Sequence, residues 1–310
     1  MKRTIFLCFF LLFASCFYAA EENVVLKTGN GDIYGTLLLP DSVRNIPLAL
    51  LIAGSGPTDR NGNQAMMQTN TLKYLAEGLE QNEIASLRFD KRAIGESKDA
   101  GLKEEDLRFE TYVNDVKLWI DLLAKDTRFQ SITIIGHSEG SLIGMLAAID
   151  NPHVSAFVSL AGAALPADEV MMEQLKNQPA AVLEMLTPIF EQLKQGQTVA
   201  DVSPMLFSLF RPSVQPYMIS WIKYSPKEEI KKLNIPILIV QGTTDMQVPT
   251  VHADLLAEAN SKVVKKIIES MNHVLKKCES MEQLAQTAVY TNPTLPLADE
   301  LVPLIVQFMQ

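Results

Sequence analysis

Cysteine is scarce in this chain, and its placement excludes a fold stapled by disulfides. Only three cysteines occur among the 310 residues. Cys8 and Cys16 lie close to the N-terminus, which leaves Cys278 alone in the body of the chain. An intramolecular disulfide in the body is therefore excluded. Cysteine and histidine also lack the spacing of zinc ligands, so we expect no metal site.

An excess of positive charge is missing as well. The chain has 27 Lys and Arg against 36 Asp and Glu, a formal net charge of −9. Binding to nucleic acid needs a basic stripe that neutralises phosphates, and no such stripe is present, so nucleic acid is excluded as a partner. The hydrophobic fraction of 47% is that of a folded globular protein. The length fits one large α/β domain, or such a domain with an insertion.

A long, uninterrupted apolar run occurs at the N-terminus. Lys2 and Arg3 precede the apolar segment 5–13, which is too short to span a bilayer comfortably. Residues 1–20 are therefore predicted to be a signal peptide. The segment 13–16 resembles a bacterial lipobox, in which Cys16 would become a lipidated N-terminus, and cleavage after residue 19 or 20 is the alternative. We expect an exported protein (periplasmic, secreted or lipid-anchored to the bacterial envelope) that contacts a membrane only if Cys16 is lipidated.

The body of the chain alternates between strand and helix patterns. Two extended runs, 24–28 and 33–39, flank a Gly-Asn-Gly-Asp turn and predict an antiparallel hairpin. Continuous apolar strands and amphipathic helices then alternate, which is typical of a mainly parallel, twisted sheet covered by helices on both faces. The pattern predicts strands at 47–53, 84–89, 131–135, 156–160, 235–240 and 263–268, and helices at 72–79, 112–124 and 298–309.

Segment 164–233 interrupts this alternation, because it has helical stretches and no convincing strand. It is rich in Met, Phe, Trp and Tyr. We predict a helical lid over one edge of the sheet, while ordinary core helices are the alternative reading. The predicted organisation is an α/β core of residues 21–163 and 234–310, with residues 164–233 inserted as the lid.

The pentapeptide Gly136-His137-Ser138-Glu139-Gly140 carries the strongest chemical signal. A β-branched run precedes it and a small, apolar helical pattern follows it. Between a strand and a helix, Gly-x-Ser-x-Gly describes a nucleophile elbow, a turn so tight that small residues must flank the serine. Ser138 is therefore the candidate nucleophile.

A serine hydroxyl becomes a good nucleophile when a base takes its proton and an acid orients that base. Four histidines are available. His273 follows the last predicted strand and is favoured over His137 within the elbow, His153 and His252. Asp245, in the loop after strand 235–240, lies between Ser138 and His273 in the order that elbow-based folds use. Its alternative role is an ordinary turn or capping aspartate.

Acyl transfer also needs N–H donors for the oxyanion that develops at the carbonyl. The backbone N–H of Glu139, directly after the nucleophile at a helix start, is the first candidate. The backbone N–H of Ser55, in the Gly-rich loop that begins at Gly54, is the second. The loop lacks the glycine and lysine spacing of a phosphate-binding motif.

These motifs together resemble the α/β-hydrolase superfamily, and within it the esterases and lipases that are similar to serine aminopeptidases. The resemblance covers nearly the whole mature chain. Besides the elbow it rests on the Gly-Thr-Thr segment before Asp245, on Asn272 before His273, and on segment 90–97, which resembles the family's Asp-x-Arg-Gly-x-Gly-x-Ser turn. One departure is Ala53, which stands where the family usually has His before the oxyanion loop.

The resemblance implies a serine hydrolase that cleaves carboxylic esters through an acyl-enzyme, with Ser138, Asp245 and His273 as triad and no cofactor. Its substrate would be a small acyl ester. An alternative is an aminopeptidase or amidase acting on peptide N-termini, with Glu139, Glu96 or Asp59 holding the substrate ammonium. A third reading is a non-catalytic binding protein on the same fold.

Overall fold

An eight-stranded, mainly parallel sheet lies at the centre of the computed structural model, which describes residues 20–41 and 44–310. The strand order is β1-β2-β4-β3-β5-β6-β7-β8. β1 and β2 form an antiparallel hairpin that joins β4 antiparallel, and all remaining neighbours are parallel. The strands are β1 (Ala20–Thr28), β2 (Gly31–Leu39), β3 (Ile46–Ile52), β4 (Ala85–Phe89), β5 (Phe129–His137), β6 (Val154–Leu160), β7 (Ile237–Gly242) and β8 (Val263–Ile268).

Helices cover both faces of this sheet. Several short 3-10 turns accompany them. The α-helices are α1 (Thr71–Glu80), α2 (Phe109–Leu123), α3 (Glu139–Ala148), α4 (Ala167–Leu175), α5 (Ala180–Lys194), α6 (Phe207–Phe210), α7 (Gln215–Ile222), α8 (Pro226–Glu229), α9 (Val251–Ala259), α10 (Gln283–Tyr290) and α11 (Leu301–Met309). Of the helices that the structure describes, none is long and apolar enough to cross a membrane. The predicted fold class, an α/β sheet with flanking helices, is confirmed.

Burial on both faces explains the continuous apolar runs of the central strands. Along β3, Leu48 and Leu50 pack into the core layer that contains α2 and α3. Ala49 and Leu51 point to the opposite face, into the layer that contains α1 and α11. A parallel strand buried on both sides has no polar face, so its sequence does not alternate.

Residues 164–233 form helices and turns in the structure, with no strand among them. They depart from the sheet after β6 and return to it at β7. The division into core and lid stays a prediction. Residues 1–19 of the predicted signal peptide, Cys16 among them, lie outside the described residues, whereas its last residue, Ala20, begins β1.

The parallel connectivity brings the candidate residues to one edge of the sheet. β3 ends just before the Gly54 loop, β5 just before Ser138, and β7 shortly before Asp245. His273 follows the end of β8. Because the carboxyl ends of parallel strands share one edge, residues distant in sequence meet there.

Packing at the elbow leaves no room for a side chain at Gly140. A Cβ atom there would lie 2.6 Å from the carbonyl oxygen of Ala53 and closer still to that of Ile52. We expect Gly140→Ala to lower the free energy of unfolding by about 1–3 kcal/mol or more, because backbone would have to move. Chemical denaturation monitored by circular dichroism measures this change.

Gly29→Ala is the matched control, since a Cβ at Gly29 meets nothing within 4 Å. Its unfolding free energy should stay within about 0.5 kcal/mol of the original protein. Equal stability of the Gly140 and Gly29 variants would contradict the packing argument.

Candidate active site

Ser138 lies at the tip of a strained turn between β5 and α3. Its φ is 55° and its ψ is −122°, a backbone conformation that non-glycine residues rarely adopt. Close backbone contacts require glycine at the ends of the motif. A Cβ on Gly136, for example, would lie 2.6 Å from Cα of Ser141. The Ser138 N–H donates to the carbonyl of Leu160 at 2.9 Å and ties the turn to β6. This is the geometry of a nucleophile elbow.

The structure brings the three predicted triad side chains together. The Ser138 hydroxyl lies 3.0 Å from Nε2 of His273. Nδ1 of His273 lies 2.8 Å from Oδ2 of Asp245. His273 and Asp245 are buried, and Ser138 is half-buried. The hydroxyl, imidazole and carboxylate therefore form one continuous hydrogen-bonded chain, as a Ser-His-Asp relay requires.

Four donors hold the Asp245 carboxylate in one orientation. Its Oδ1 accepts the backbone N–H groups of Gln247 at 2.8 Å and Val248 at 2.9 Å. Its Oδ2 accepts the side-chain amide of Gln241 at 2.8 Å, in addition to His273. Asp245 therefore also has the turn role that was its alternative interpretation. The same carboxylate stabilises the turn and bonds His273.

Two glutamines that the sequence analysis overlooked support this arrangement. Gln241, the penultimate residue of β7, also donates to the carbonyl of Val248 at 2.6 Å. Gln286, on α10, donates to the carbonyl of Thr244 at 3.1 Å and accepts from the Asn272 amide at 3.1 Å. It therefore joins the acid-bearing loop to the histidine-bearing loop. Neither residue belongs to a short motif, and the sequence pattern did not predict α10.

His137 contacts the backbone of His273 and lies outside the hydrogen-bonded chain of Ser138, His273 and Asp245. Its Nε2 donates to the backbone carbonyl of His273 at 2.7 Å. Burial, reinforced by the neighbouring His273, lowers the pKa of His137 to about 4. The ring is therefore neutral near pH 7 and can make this hydrogen bond. The two remaining histidines lie elsewhere: His153 is exposed, and His252 bonds to Glu173 at 2.9 Å.

The two candidate oxyanion donors, the N–H groups of Ser55 and Glu139, belong to segments that both adjoin the nucleophile. Glu139 begins α3, so its N–H has no intrahelical acceptor. Among the described residues, neither this N–H nor that of Ser55 donates to another protein group. Gly54 lets the two segments approach, since a Cβ there would lie 3.1 Å from Cβ of Ser138.

The side chain of Glu139 turns away from the pocket into a buried cluster. One carboxylate oxygen pairs with Nζ of Lys91 at 3.2 Å. The other accepts the hydroxyl of Tyr217 at 2.5 Å. Burial, followed by the charge of Glu139, raises the pKa of Tyr217, so its phenol stays protonated and donates.

A cavity of about 240 Å³ opens over Ser138 and His273. Most of its wall comes from the loop that follows β3 and from the first two residues of α1. The rest comes from the elbow, the His273 loop, Gln247 and Tyr290. Among the residues that the structure describes, the lining includes no carboxylate, no lysine, no arginine and no residue of segment 164–233. A neutral substrate group therefore suits this cavity better than a charged one.

The carboxylates proposed for holding a substrate ammonium are engaged elsewhere. Glu139 faces Lys91 and Tyr217. Glu96 pairs with Arg60 at 2.5 Å. Asp59 accepts the backbone N–H groups of two following residues at 2.8 and 2.9 Å. None of the three lines the cavity over Ser138.

The lowered pKa of His137 predicts a dependence of stability on pH. Between pH 6.5 and about 4 the unfolded chain binds a proton at this residue and the folded chain does not. Stability is therefore lost as pH falls through this window. The ring keeps some solvent contact, so we expect a loss of about 1–2 kcal/mol between pH 7.5 and 4.5, measured as the difference from a His137→Gln variant.

His153→Gln is the control for that experiment, because it removes a histidine whose side chain is exposed. Its unfolding free energy should follow the original protein across the same pH range. An identical pH dependence in the original protein and in His137→Gln would contradict the assignment of a neutral, half-buried His137.

Comparison with known proteins finds hydrolases of similar sequence and fold. A family model described as "Serine aminopeptidase, S33" matches residues 66–208, which include Ser138 and end before Asp245. Human monoglyceride lipase is 25% identical over 243 residues, which cover 74% of this chain and 77% of the relative. The mouse monoglyceride lipase is 23% identical over 250 residues, with the same coverage of 74% and 77%.

Solved structures share the fold. The Est1E protein of Butyrivibrio proteoclasticus superposes with a TM-score of 0.58 at 16% identity, covering 93% of this chain and 95% of its own. The esterase Pf2001 of Pyrococcus furiosus superposes with a TM-score of 0.60 at 14% identity, covering 94% and 90%. The sheet and these structural similarities show the α/β-hydrolase fold, and the sequence is similar to the serine aminopeptidase family and to monoglyceride lipases.

Proposed function

We propose that the protein hydrolyses carboxylic esters of small, uncharged acyl groups through a covalent acyl-enzyme. The observation that carries the proposal is the continuous chain from Ser138 through His273 to Asp245, at 3.0 and 2.8 Å, below a cavity without charged lining. The relatives are named as lipases and esterases. Their names agree with this chemistry.

In the first half of the reaction, Ser138 Oγ attacks the ester carbonyl carbon while its proton passes to Nε2 of His273. The carbonyl oxygen becomes an oxyanion, which the N–H groups of Ser55 and Glu139 stabilise. The carbon–oxygen bond to the alcohol then breaks, and His273 gives its proton to the departing alkoxide. Asp245 stabilises the imidazolium that forms between these transfers.

Water completes the cycle. His273 takes a proton from water as its oxygen attacks the acyl carbon, and the same two N–H groups hold the second oxyanion. The bond between the acyl carbon and Ser138 Oγ breaks, and His273 returns the proton to the serine. The products are a carboxylic acid and an alcohol, and no cofactor takes part.

An aminopeptidase is the second candidate function, since it would use the same triad and the matched family model bears that name. Such an enzyme needs an anion that binds the substrate's ammonium group. Glu139, Glu96 and Asp59 do not line the cavity and have partners in the protein. The uncharged lining therefore favours an ester, or an amide without a free α-amine.

Removal of the nucleophile and of the orienting acid tests the mechanism. Ser138→Ala should abolish measurable turnover of p-nitrophenyl butyrate. Asp245→Asn should lower kcat by about 10³–10⁴, because the imidazole would lose its orientation and the charge that stabilises its protonated form. Circular dichroism should show both variants folded.

Aminoacyl p-nitroanilides, assayed in parallel, distinguish the two candidate functions. Hydrolysis of the anilides without hydrolysis of the ester would favour the aminopeptidase. Full ester turnover by folded Ser138→Ala would refute a role of the triad altogether. Absence of Ser138 labelling by a fluorophosphonate in the original protein would favour a non-catalytic binding protein.

The size of the cavity predicts the preferred acyl length. Its volume of about 240 Å³ lies below the roughly 300–1,000 Å³ of pockets for drug-sized ligands. We expect kcat/KM for p-nitrophenyl esters to be highest at acetate or butyrate and at least about tenfold lower at decanoate.

Two adjacent methionines provide a matched pair for this prediction. Met67 lines the cavity, whereas the neighbouring Met66 is 89% exposed. Met67→Ala should shift the preference toward longer acyl chains, and Met66→Ala should leave the profile unchanged. An equal shift in both variants, or none in either, would contradict the assignment of this cavity as the acyl site.

A further inference from the structure

We propose that Lys91 is a positioning residue that aims the Ser55 N–H at the oxyanion. This inference rests on the proposed ester hydrolysis and adds a residue that neither the elbow nor the triad contains. Lys91 follows β4 by two positions and its side chain is only 4% exposed. A buried ammonium must be fully hydrogen-bonded or paired, so its partners indicate what it does.

All three N–H donors of the Lys91 ammonium have acceptors in the two oxyanion segments, which are the Gly54 loop after β3 and the start of α3. Nζ donates to the carbonyl of Gly54 and lies 3.3 Å from that of Gly56. It also pairs with the Glu139 carboxylate at 3.2 Å. The face of the Tyr112 ring lies 5.2 Å from Nζ and covers the ammonium. Three donors and three acceptors leave the group satisfied.

The carbonyl of Gly54 and the N–H of Ser55 belong to the same peptide unit. That unit is planar and trans, so its carbonyl and its N–H point in opposite directions. When Lys91 holds the carbonyl oxygen on one side, the N–H of Ser55 must point to the other. The bond to the Gly54 carbonyl therefore fixes the direction of an N–H that has no acceptor of its own among the described residues.

The bond to Glu139 connects the second donor to the same ammonium. The backbone N–H of Glu139 is the other oxyanion donor, and its carboxylate bonds both Lys91 and Tyr217. One side chain thus bridges the loop after β3 and the start of α3. Because the Glu139 carboxylate balances the charge of Lys91, the ammonium acts through geometry and not as a free positive charge near the oxyanion.

The test removes the cation without leaving a buried, unpaired anion. Lys91→Met alone would strand the Glu139 carboxylate and endanger folding. The double variant Lys91→Met/Glu139→Gln is therefore compared with the original protein. The backbone N–H of residue 139 stays, and a glutamine oxygen can still accept from Tyr217.

Arg92→Met/Asp115→Asn is the matched control. Arg92 neighbours Lys91 in the same turn, and it forms a buried ion pair with Asp115 at 2.6 Å. Among the described residues, the hydrogen bonds of Arg92 go to Asp115, Ala100 and Thr28 and not to the Gly54 loop or Glu139. The activity of this control variant shows how much the removal of a buried ion pair from the turn after β4 affects the enzyme in general.

The measurements are kcat and KM for p-nitrophenyl butyrate and the inhibition constant of phenylboronic acid, whose adduct with Ser138 imitates the oxyanion. Removal of a whole oxyanion donor lowers kcat by about 10²–10³, so a misdirected donor should lower it by about 10–10². We expect KM within about threefold of the original value. The boronate should bind weaker by a factor similar to the loss in kcat, because both depend on the same N–H.

Equal kcat and equal boronate affinity in the folded Lys91/Glu139 variant and the original protein would overturn the proposal. A parallel loss in the Arg92/Asp115 control would overturn it too, because it would indicate a purely structural role. Failure of the proposed function appears differently: the original protein would then not hydrolyse the ester, or Ser138→Ala would hydrolyse it equally well.

Discussion

The backbone of Ser138 is the constraint on which the site depends. Its positive φ places the hydroxyl beyond the end of β5, where His273 reaches it at 3.0 Å. That conformation persists only because Gly136 and Gly140 let strand and helix approach more closely than any side chain would permit. Close packing at the neighbouring glycines thus maintains the strained backbone conformation of Ser138. Because α3 begins directly after this residue, the N–H of Glu139 is left available to an acceptor.

Buried charge is concentrated in the turn after β4, next to the elbow. Lys91 pairs with Glu139, Arg92 with Asp115, and Asp90 with Arg60 at 2.7 Å. Such pairs add little net stability, since the cost of removing charge from water roughly cancels the attraction. Their effect is to specify how the turn after β4 is placed against the segments that it pairs with. Lys91 of this turn bonds both the Gly54 loop and the start of α3, so its ion pair with Glu139 connects the two oxyanion segments.

The helical segment 164–233 contributes to the site indirectly. Tyr217 of α7 donates to the Glu139 carboxylate from behind the elbow. His252 of α9 accepts the N–H of Ala164 at 3.1 Å, where this segment begins. The cavity wall instead comes largely from the loop between β3 and α1, which carries Gln64 and Met67. The loop nearest the nucleophile, more than the inserted helices, therefore forms the surface that a bound acyl group would meet.

The sequence by itself determined the strands of the sheet, and it predicted Ser138, Asp245 and His273 as one site. The fold brings the side chains of these three residues together. Continuous apolar runs marked the parallel strands, and the small residues at 136 and 140 marked the elbow, because local sterics leave few alternatives there. Tertiary structure alone decided the roles of Lys91 and Gln286. A lysine after a strand and a glutamine on a helix are ordinary in sequence. Their partners here, Gly54 and Thr244, lie 37 and 42 positions away along the chain. Long-range hydrogen bonds leave no local pattern, so only the folded chain reveals which polar side chains are buried and what they hold.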